Sequence, residues 1–453
     1  MTQSGERKIV LRGYQQKSAN LIASSLYARK FALDRSVMGT GKTFASLDAV
    51  AQFEEALFAV VCRASARNKW KKAVEDYGLS DRCLGVDSWN KWTSGNYYRD
   101  LVTKGGQKKK DAQFSWTPSA STIVIFDEVQ DAGGHDTLNA KLLMGAGRSP
   151  YIYPIGLSAT IADSPLKLKA VGFLCGLHNL TNFYGWCLDM GCGKSPFGYN
   201  QLYFRKGAAE WVIPLLHSFL APFGPRVTVD EVREFLPPET IETELWDCGT
   251  PGKLVKEALD HLEEIRDTDL ERHEDDTPGA VEQMRDRQEA ELRKLQPLAQ
   301  EIEDAVEGGY YCPVFLNFIQ SIETLRKMLN LQKIECGIYT GQNPKVRERD
   351  LDLFMEGKRQ VIVLQTQAGG ASIDLHDLEG SRPRMTFLSP TYHAEVLIQA
   401  LGRTVRFDAR SPVIQRIVFA EGTIEEKVYK AVKGKAERIR ALNDGEWKNA
   451  FGA

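Results

Sequence analysis

The sequence predicts an α/β protein of two lobes, each built on a parallel central sheet, with a charged helical segment between them. Three observations carry this. Short apolar runs, such as 56–62, 122–126 and 361–364, read as strands buried on both faces, and they alternate with helical patterns in both halves of the chain. At 453 residues the chain exceeds what one hydrophobic core organises. A Leu236-Pro237-Pro238 break followed by an alternating segment at 240–245 marks a hand-over. The expected domains are therefore 1–245 and 246–453, the second carrying a charged helical insertion over about 250–307.

Composition narrows the function classes. Lys and Arg number 58 against 60 Asp and Glu, a net charge of −2, so a polyanion would have to bind in a local basic groove. The eight cysteines, at 62, 83, 175, 187, 192, 248, 312 and 336, form no framework and suit a reducing cytoplasmic compartment. Cys175, His178, Cys187 and Cys192 could supply zinc ligands, but their spacing fits no standard finger, and buried or loop thiols are the expectation. The polar N-terminus and the lack of 18 successive apolar residues argue against a signal peptide, a membrane span or a membrane partner.

Taken in order, Leu11-Arg12-Gly13-Tyr14-Gln15-Gln16 opens a helix on which Tyr14 could stack on a base and Gln15 could offer both hydrogen-bonding roles to an adenine edge. Aromatic packing and a solvated amide are the plainer reading. Val37-Met38-Gly39-Thr40-Gly41-Lys42-Thr43 then reads as a phosphate cradle at a helix N-terminus. Gly39 and Gly41 would let backbone N–H groups of the Gly39–Thr40–Gly41 turn curl around an anion. Lys42 would reach the β and γ phosphates, and Thr43 would give Mg²⁺ a hydroxyl ligand. A glycine-rich turn with a solvent lysine is the alternative.

After a strand at 56–62, Trp70 and Tyr77 lie seven apart on the next helix, a spacing that predicts core packing. Residues 104–110 make a glycine-containing basic loop with Lys108, Lys109 and Lys110 adjacent. It reads as solvated, with phosphate contact the minority alternative. The strand at 122–126 delivers Asp127-Glu128-Val129-Gln130 at its carboxyl end, where α/β sheets place ligand groups. Asp127 would share Mg²⁺ with Thr43, and Glu128 would orient and deprotonate the attacking water. A strand from 151 ends in Gly156-Leu157-Ser158-Ala159-Thr160, a candidate coupling element, and 161–245 looks mainly helical.

In the second half, residues 263–276 hold eight acidic and two basic residues, too polar for a core. Val281, Met284, Leu292, Leu295, Ala299 and Ile302 keep helical spacing and predict one packing face. A second α/β pattern follows: strands near 314–316, 361–364 and 385–388, helices at 319–329 and 347–355, Thr340-Gly341-Gln342, and a glycine turn over 366–371. Gln399-Ala400-Leu401-Gly402-Arg403-Thr404-Val405-Arg406 places two arginines three apart, expected on one helical face and suited to stabilising charge on a γ-phosphate. Gly422-Thr423-Ile424-Glu425-Glu426 reads as a capping box, Thr423 with Glu426, opening a terminal helix.

In this order the motifs resemble those of superfamily-two helicases and translocases, most closely the Swi/Snf-type ATPases, over roughly residues 9–442. The features that carry the resemblance are L-R-x-Y-Q, M-G-T-G-K-T, W-x-x-x-x-x-x-Y, the Pro225-Arg226 to Leu236-Pro237 stretch and G-T-I-E-E-K. Two departures are visible. The family's A-G-G-x-G-x-N-L becomes Ala368-Gly369-Gly370-Ala371-Ser372-Ile373-Asp374-Leu375, and the second arginine of its R-R element is absent.

The resemblance implies two RecA-like lobes that clamp ATP with Mg²⁺ and track along DNA, duplex or branched by preference. It implies adenine recognition by Gln15, phosphate binding by Gly39, Thr40, Gly41 and Lys42, and Mg²⁺ at Thr43 and Asp127. Catalysis would rest on Glu128 and Lys42 with Arg403 and Arg406 from the second lobe, Gln130 and Gln399 would also contact the nucleotide, and Gln130 and Ser158 to Thr160 would couple. Ser65, Thr340 and Thr366 would touch the nucleic-acid backbone, and a hairpin within 90–120 could separate strands. A compact monomeric motor of a bacterial cell or phage, with replication or repair partners, is expected. The other readings are a strand-separating DNA or RNA helicase, a different phosphate-loop enzyme such as a kinase, and a non-hydrolysing ATP-gated clamp.

Overall fold

The computed structural model describes residues 9–134, 136–195, 201–270, 278–342, 344–366, 373–391, 393–406 and 409–430. The chain divides into two compact units, the division falling between Val232 and Arg233.

The first unit contains helices α1 (Gly13–Arg29), α2 (Lys42–Ala51), α3 (Arg67–Asp76), α4 (Trp89–Ser94), α5 (Leu138–Arg148), α6 (Lys169–Leu174), α7 (Phe183–Asp189), α8 (Ala209–Leu220) and α9 (Val229–Val232). Strands β1 (Ala32–Asp34), β2 (Leu57–Cys62), β3 (Cys83–Ser88), β6 (Thr122–Asp127) and β7 (Ile152–Leu157) form a five-stranded sheet in the order β1-β7-β6-β2-β3. Every pairing in it is parallel. The apolar runs demand this, because Val60, Val61, Val124 and Ile125 are fully buried with helices on both faces.

Two antiparallel hairpins interrupt the pattern. β4 (Val102–Gly105) pairs with β5 (Gln113–Trp116), which puts the basic loop at a hairpin tip, and β8 (Cys192–Lys194) pairs with β9 (Leu202–Phe204). The second hairpin lies in the segment expected to be mainly helical. Its strands are three residues each, too short for an alternating signature to register.

The second unit holds β10 (Glu239–Trp246), α10 (Lys253–Leu270), α11 (Pro278–Arg293), α12 (Leu295–Glu307), β11 (Cys312–Leu316), α13 (Ile319–Leu331), β12 (Cys336–Tyr339), α14 (Pro344–Met355), β13 (Val361–Gln365), β14 (Arg384–Leu388), α15 (Ala394–Leu401) and β15 (Val413–Ala420). Its six strands, in the order β10-β15-β14-β11-β13-β12, are again all parallel. The strand at 239–246 therefore belongs to the second sheet, paired along its whole length with β15.

Leu292, Leu295, Ala299 and Ile302 are buried as the helical spacing predicts, whereas Met284 is 56% exposed. A break between α11 and α12 separates the two stretches, so only the end of α11 shares the packing face. At that break Lys294 is buried, donating to Glu425 Oε1 (2.8 Å), Ser389 Oγ (2.9 Å) and the Val418 carbonyl (3.0 Å). Glu425 also accepts from the Ala420 N–H at 2.8 Å. The capping at this point is shifted from the expected pair: Thr423 Oγ1 accepts the Glu425 N–H and Glu426 reaches back to the Gly422 N–H.

Candidate active site

Three of the informative stretches exit one edge of the first sheet side by side. The register pairs Asp34 with Leu157 and Leu157 with Asp127. The carboxyl ends of β1, β7 and β6 thus deliver, as neighbours, the cradle, Ser158 to Thr160, and Glu128. Crevices at the carboxyl ends of parallel strands are where such sheets bind ligands.

The cradle has the backbone its sequence requires. Gly39 and Gly41 adopt φ of 82° and 79°. That left-handed backbone favours glycine, and a Cβ at Gly41 would lie 2.2 Å from Gln15 Nε2, so a side chain there would also displace Gln15 from Thr40. α2 begins at Lys42, and the N–H groups of a first helical turn have no acceptor within the helix. Lys42 Nζ donates to the carbonyls of Ser36 (2.8 Å) and Val37 (3.0 Å), and Thr40 Oγ1 donates to Val37 (2.9 Å). Half-buried Thr43 sits in that first turn.

α1 braces this loop. Gln15 Nε2 donates to the Thr40 carbonyl at 3.0 Å while its Oε1 accepts the Arg12 N–H at 3.0 Å. Gln16 Nε2 and the Tyr77 hydroxyl donate to the two oxygens of Asp48, at 2.8 and 2.6 Å. Asp48 therefore ties α1, α2 and the end of α3 together. Sequence reading missed it, although a lone carboxylate in the apolar run Leu47-Asp48-Ala49-Val50 was a signal.

Asp127 is the last residue of β6, and two tryptophans hold it. Trp70 Nε1 donates to Oδ2 at 2.8 Å and Trp89 Nε1 donates to the Asp127 carbonyl at 3.2 Å, while Oδ1 accepts the Glu128 N–H at 3.1 Å. Burial first, and the Glu128 charge second, raise the Asp127 pKa to about 6. The Trp70 hydrogen bond, Lys42 and Arg63 pull it down, which places Lys42 within electrostatic reach. Glu128 has φ of 52°, a left-handed backbone that costs a β-carbon residue about 1 kcal/mol or more. Gln130 Nε2 donates to Glu128 Oε2, and Arg63 grips Asp131 with two bonds of 2.7 and 2.6 Å. The amide oxygen of Gln130 and the Thr160 hydroxyl are buried without partners, whereas Ser158 is engaged: its N–H donates to Asp34 and its Oγ accepts the Thr160 N–H.

The Pro225-Arg226 element flanks the entry to the cradle. Arg35 N–H donates to the Pro225 carbonyl, Val37 N–H to the Val227 carbonyl, and Arg226 Nη1 to the Arg35 carbonyl. Burial lowers the pKa of Arg35 to about 10, and burial together with Arg35 lowers that of Arg226 to about 9.

In the second unit, α15 stops at Leu401, so Arg403 and Arg406 lie in the turn after it and not on a helical face. Gly402 and the β-branched pair Thr404-Val405 disfavour continuing the helix. Arg403 is 4% exposed, with Nη1 on the Ile373 carbonyl at 3.4 Å. Arg406 Nη2 pairs with Asp374 Oδ1 at 3.2 Å, so the residue that departs from the family pattern is an ion partner of an expected catalytic arginine. Gln399 is buried on α15.

Of the expected nucleic-acid contacts, Ser65 is half-buried in the turn after β2, while Thr340 and Thr366, following β12 and β13, are buried. Residues 367–371 of the glycine turn lie outside the described residues. His178 packs against Phe183 and Trp186, at ring separations of 4.8 and 5.1 Å, and Cys187 and Cys192 are buried free thiols. Among the described residues no group of three or more His, Cys, Asp and Glu side chains is placed to hold a metal ion. No described helix is long and apolar enough to cross a membrane.

Residues 293–408 match the helicase conserved C-terminal domain. Over 468 residues the chain is 26% identical to a protein of Acanthamoeba polyphaga mimivirus that carries the name of an ATP-dependent RNA helicase, covering 98% of this chain and 86% of that one. It is also 26% identical over 240 residues to the Danio rerio DNA excision repair protein ERCC-6-like, covering 50% of this chain but 16% of that protein. A 106-residue stretch is 31% identical to the Homo sapiens protein of the same name, covering 23% of this chain and 8% of that one.

Proposed function

We propose that this superfamily-two helicase is a DNA-dependent ATPase that translocates along duplex or branched DNA, serving replication, repair or recombination as a cytoplasmic, monomeric motor of a bacterial or phage system. The observation that carries the ATPase is the side-by-side exit of the cradle, the Asp127-Glu128 pair and Ser158 to Thr160 from one sheet edge.

The donors fit the nucleotide. The positive φ of Gly39 and Gly41 keeps the cradle's backbone free to approach an anion, and the oxygen donors of Thr43 and Asp127 suit a hard divalent cation. Bound Mg²⁺ supplies neutralisation of phosphate charge. Gly39 to Lys42 bind the phosphates, Lys42 exchanging its two carbonyl partners for phosphate oxygens, and Gln15 reads the adenine edge from its place on Thr40. Glu128 takes the proton of the attacking water, its direction set by the left-handed backbone and by Gln130. Arg403 and Arg406 stabilise the developing charge, a contribution on the order of 10³ to 10⁵ in rate. Gln130 and Thr160 carry the state of the nucleotide to the nucleic-acid grip at Ser65, Thr340 and Thr366.

Duplex or branched DNA is the preferred track because the L-R-x-Y-Q, L-P and G-T-I-E-E-K matches favour the Swi/Snf branch, and repair proteins named ERCC-6-like are among the relatives. A strand-separating RNA helicase is the second reading, favoured by the name of the viral relative that spans most of this chain. ATPase rates measured with duplex, branched and single-stranded DNA and with RNA at one salt concentration, alongside triplex-displacement and strand-separation assays, decide between them. Stimulation by duplex or forked DNA with triplex displacement is expected. RNA-only stimulation, or efficient unwinding of tailed duplexes without triplex displacement, overturns the duplex reading and leaves the ATPase standing.

A further inference from the structure

The β4–β5 hairpin carries a run of three successive lysines that the catalytic reading leaves unused. Between residues 104 and 112 it places Lys104, Lys108, Lys109 and Lys110 against a single acidic residue, Asp111. Lys108, Lys109 and Lys110 are exposed, and among the described residues none of the four lysines forms an ion pair. A cluster of like charges without counter-ions repels itself, so an unused loop would be expected to spread out.

This tip is instead held rigid. Gly106 takes φ of 83° with the Asp111 carbonyl so close that a Cβ would lie 2.3 Å from it. A short helical turn spans Lys109–Asp111. Lys141 of α5 donates to the carbonyls of Lys109 (2.9 Å) and Lys110 (2.6 Å) and clamps the turn from below. The root is anchored in the core: Trp116 is 4% exposed, donates from Nε1 to the Leu142 carbonyl of α5 at 3.1 Å and stacks on Trp92 at 5.7 Å. β5 and α5 pack so tightly that a Cβ at Gly145 would lie 2.5 Å from the Phe114 carbonyl. Because the backbone of the turn is already held, only the three lysine side chains remain to be ordered when they meet an array of fixed charges such as a nucleic-acid backbone.

The same helix reaches the acidic element of the active site. Asn139 of α5 donates to the Asp131 carbonyl at 3.3 Å, and Asp131 is the residue gripped by Arg63, three positions after Glu128. One rigid element therefore touches the hairpin tip at Lys141 and the end of the D-E-V-Q-D segment at Asn139.

We propose that the β4–β5 tip is a phosphate-contacting surface for nucleic acid, formed by Lys108, Lys109 and Lys110, and that α5 passes its engagement to Glu128 and Gln130. This rests on the nucleic-acid-driven ATPase proposed above and adds a contact that none of its expected site residues supplies.

The test uses the full chain, a duplex and a single strand as probes, with K108A/K109A/K110A, its Lys→Arg counterpart and K141M. Removing three phosphate contacts should lower the slope of log affinity against log salt by up to about 2.7 on duplex, and weaken binding at low salt roughly tenfold or more. The arginine triple should restore both. K141M keeps the charges but frees the turn, so it should lower the maximal stimulation of ATPase more than the nucleic-acid concentration giving half of it. Unmoved thermal midpoints in all variants exclude misfolding. If the alanine triple keeps the wild-type salt slope and affinity, the tip is a solvated loop and the proposal is wrong, while the motor stands. If the wild-type chain binds neither probe, both readings fall.

Discussion

The indole N–H of Trp70 lies 2.8 Å from Asp127 Oδ2, so a residue spaced for core packing also holds the carboxylate assigned to Mg²⁺. The bond favours the ionised form against burial and the neighbouring Glu128. Trp70→Phe keeps the packing and removes the donor. A hydrogen bond to a charged group contributes about 1.5–3 kcal/mol, so half-saturation by Mg²⁺ in the ATPase assay should rise about tenfold or more. Metal-free nucleotide binding, followed by fluorescence titration, should move little.

Activity should follow the Asp127 proton. Its folded pKa of about 6 lies above the ordinary carboxylate value of 3.8. Between those two values the folded chain keeps a proton that the unfolded chain has lost, so this group disfavours folding increasingly as pH rises, and its full cost is present above about 6. Metal binding needs the opposite, ionised state. ATPase at subsaturating Mg²⁺ should therefore fall as pH drops through about 6, and raising Mg²⁺ should shift that midpoint to lower pH. A midpoint that ignores Mg²⁺ would remove Asp127 from the metal site.

Lys42→Ala and Glu128→Gln should both abolish turnover but separate in binding. In the proposed mechanism lysine contacts phosphate in the ground state and glutamate acts on water, so only the lysine change should weaken ATP affinity strongly in a nucleotide titration. Normal turnover in Glu128→Gln would eliminate the proposed base.

Arg403→Ala should cost on the order of 10³-fold in kcat with ATP affinity nearly kept, because its charge is needed as the transition state develops. Arg406→Ala should do likewise, and it also removes the ion pair with Asp374. The double change Arg406→Ala, Asp374→Asn should then recover stability, read as the thermal midpoint, without recovering rate.

The Lys294 and Glu425 pair gives a stability prediction. Both are buried, so Lys294→Met leaves a carboxylate without its cation and should destabilise the second unit by about 3–5 kcal/mol. The stranded Glu425, whose pKa burial already raises, should make that variant regain stability as pH falls. Chemical denaturation at two pH values checks both.

Much of the sheet scaffold and the turn of the cradle was legible because each announces itself locally: an apolar run fixes a strand buried on both faces, and two glycines before a helix-forming run fix a left-handed turn that opens a helix. β1 was not, since Ala32–Asp34 is three residues long and takes its strand identity from β7 alone. Side-chain partners across the fold were also hidden. Nothing near Trp70 names Asp127, nothing near Asp48 names Tyr77 and Gln16, and Lys294 meets Glu425 only when the sheet has formed. The turn that carries Arg403 and Arg406 was misjudged for the reverse reason. Their spacing suits a helix, but Gly402 and Thr404-Val405 end it.

The pairing of β10 with β15 sets an order of assembly. β10 is the first strand of the second unit to leave the ribosome and β15 the last, yet each hydrogen-bonds to the other from Glu239↔Val413 to Trp246↔Ala420. Until β15 is made, β10 has an unpaired edge, and a half-synthesised second unit exposes a sheet margin open to other chains. A nonsense change between the end of α12 and Val413 should therefore yield a product that aggregates or is degraded, and its helices α10 to α12 cannot rescue it, because the strand that pairs with β10 has not been translated.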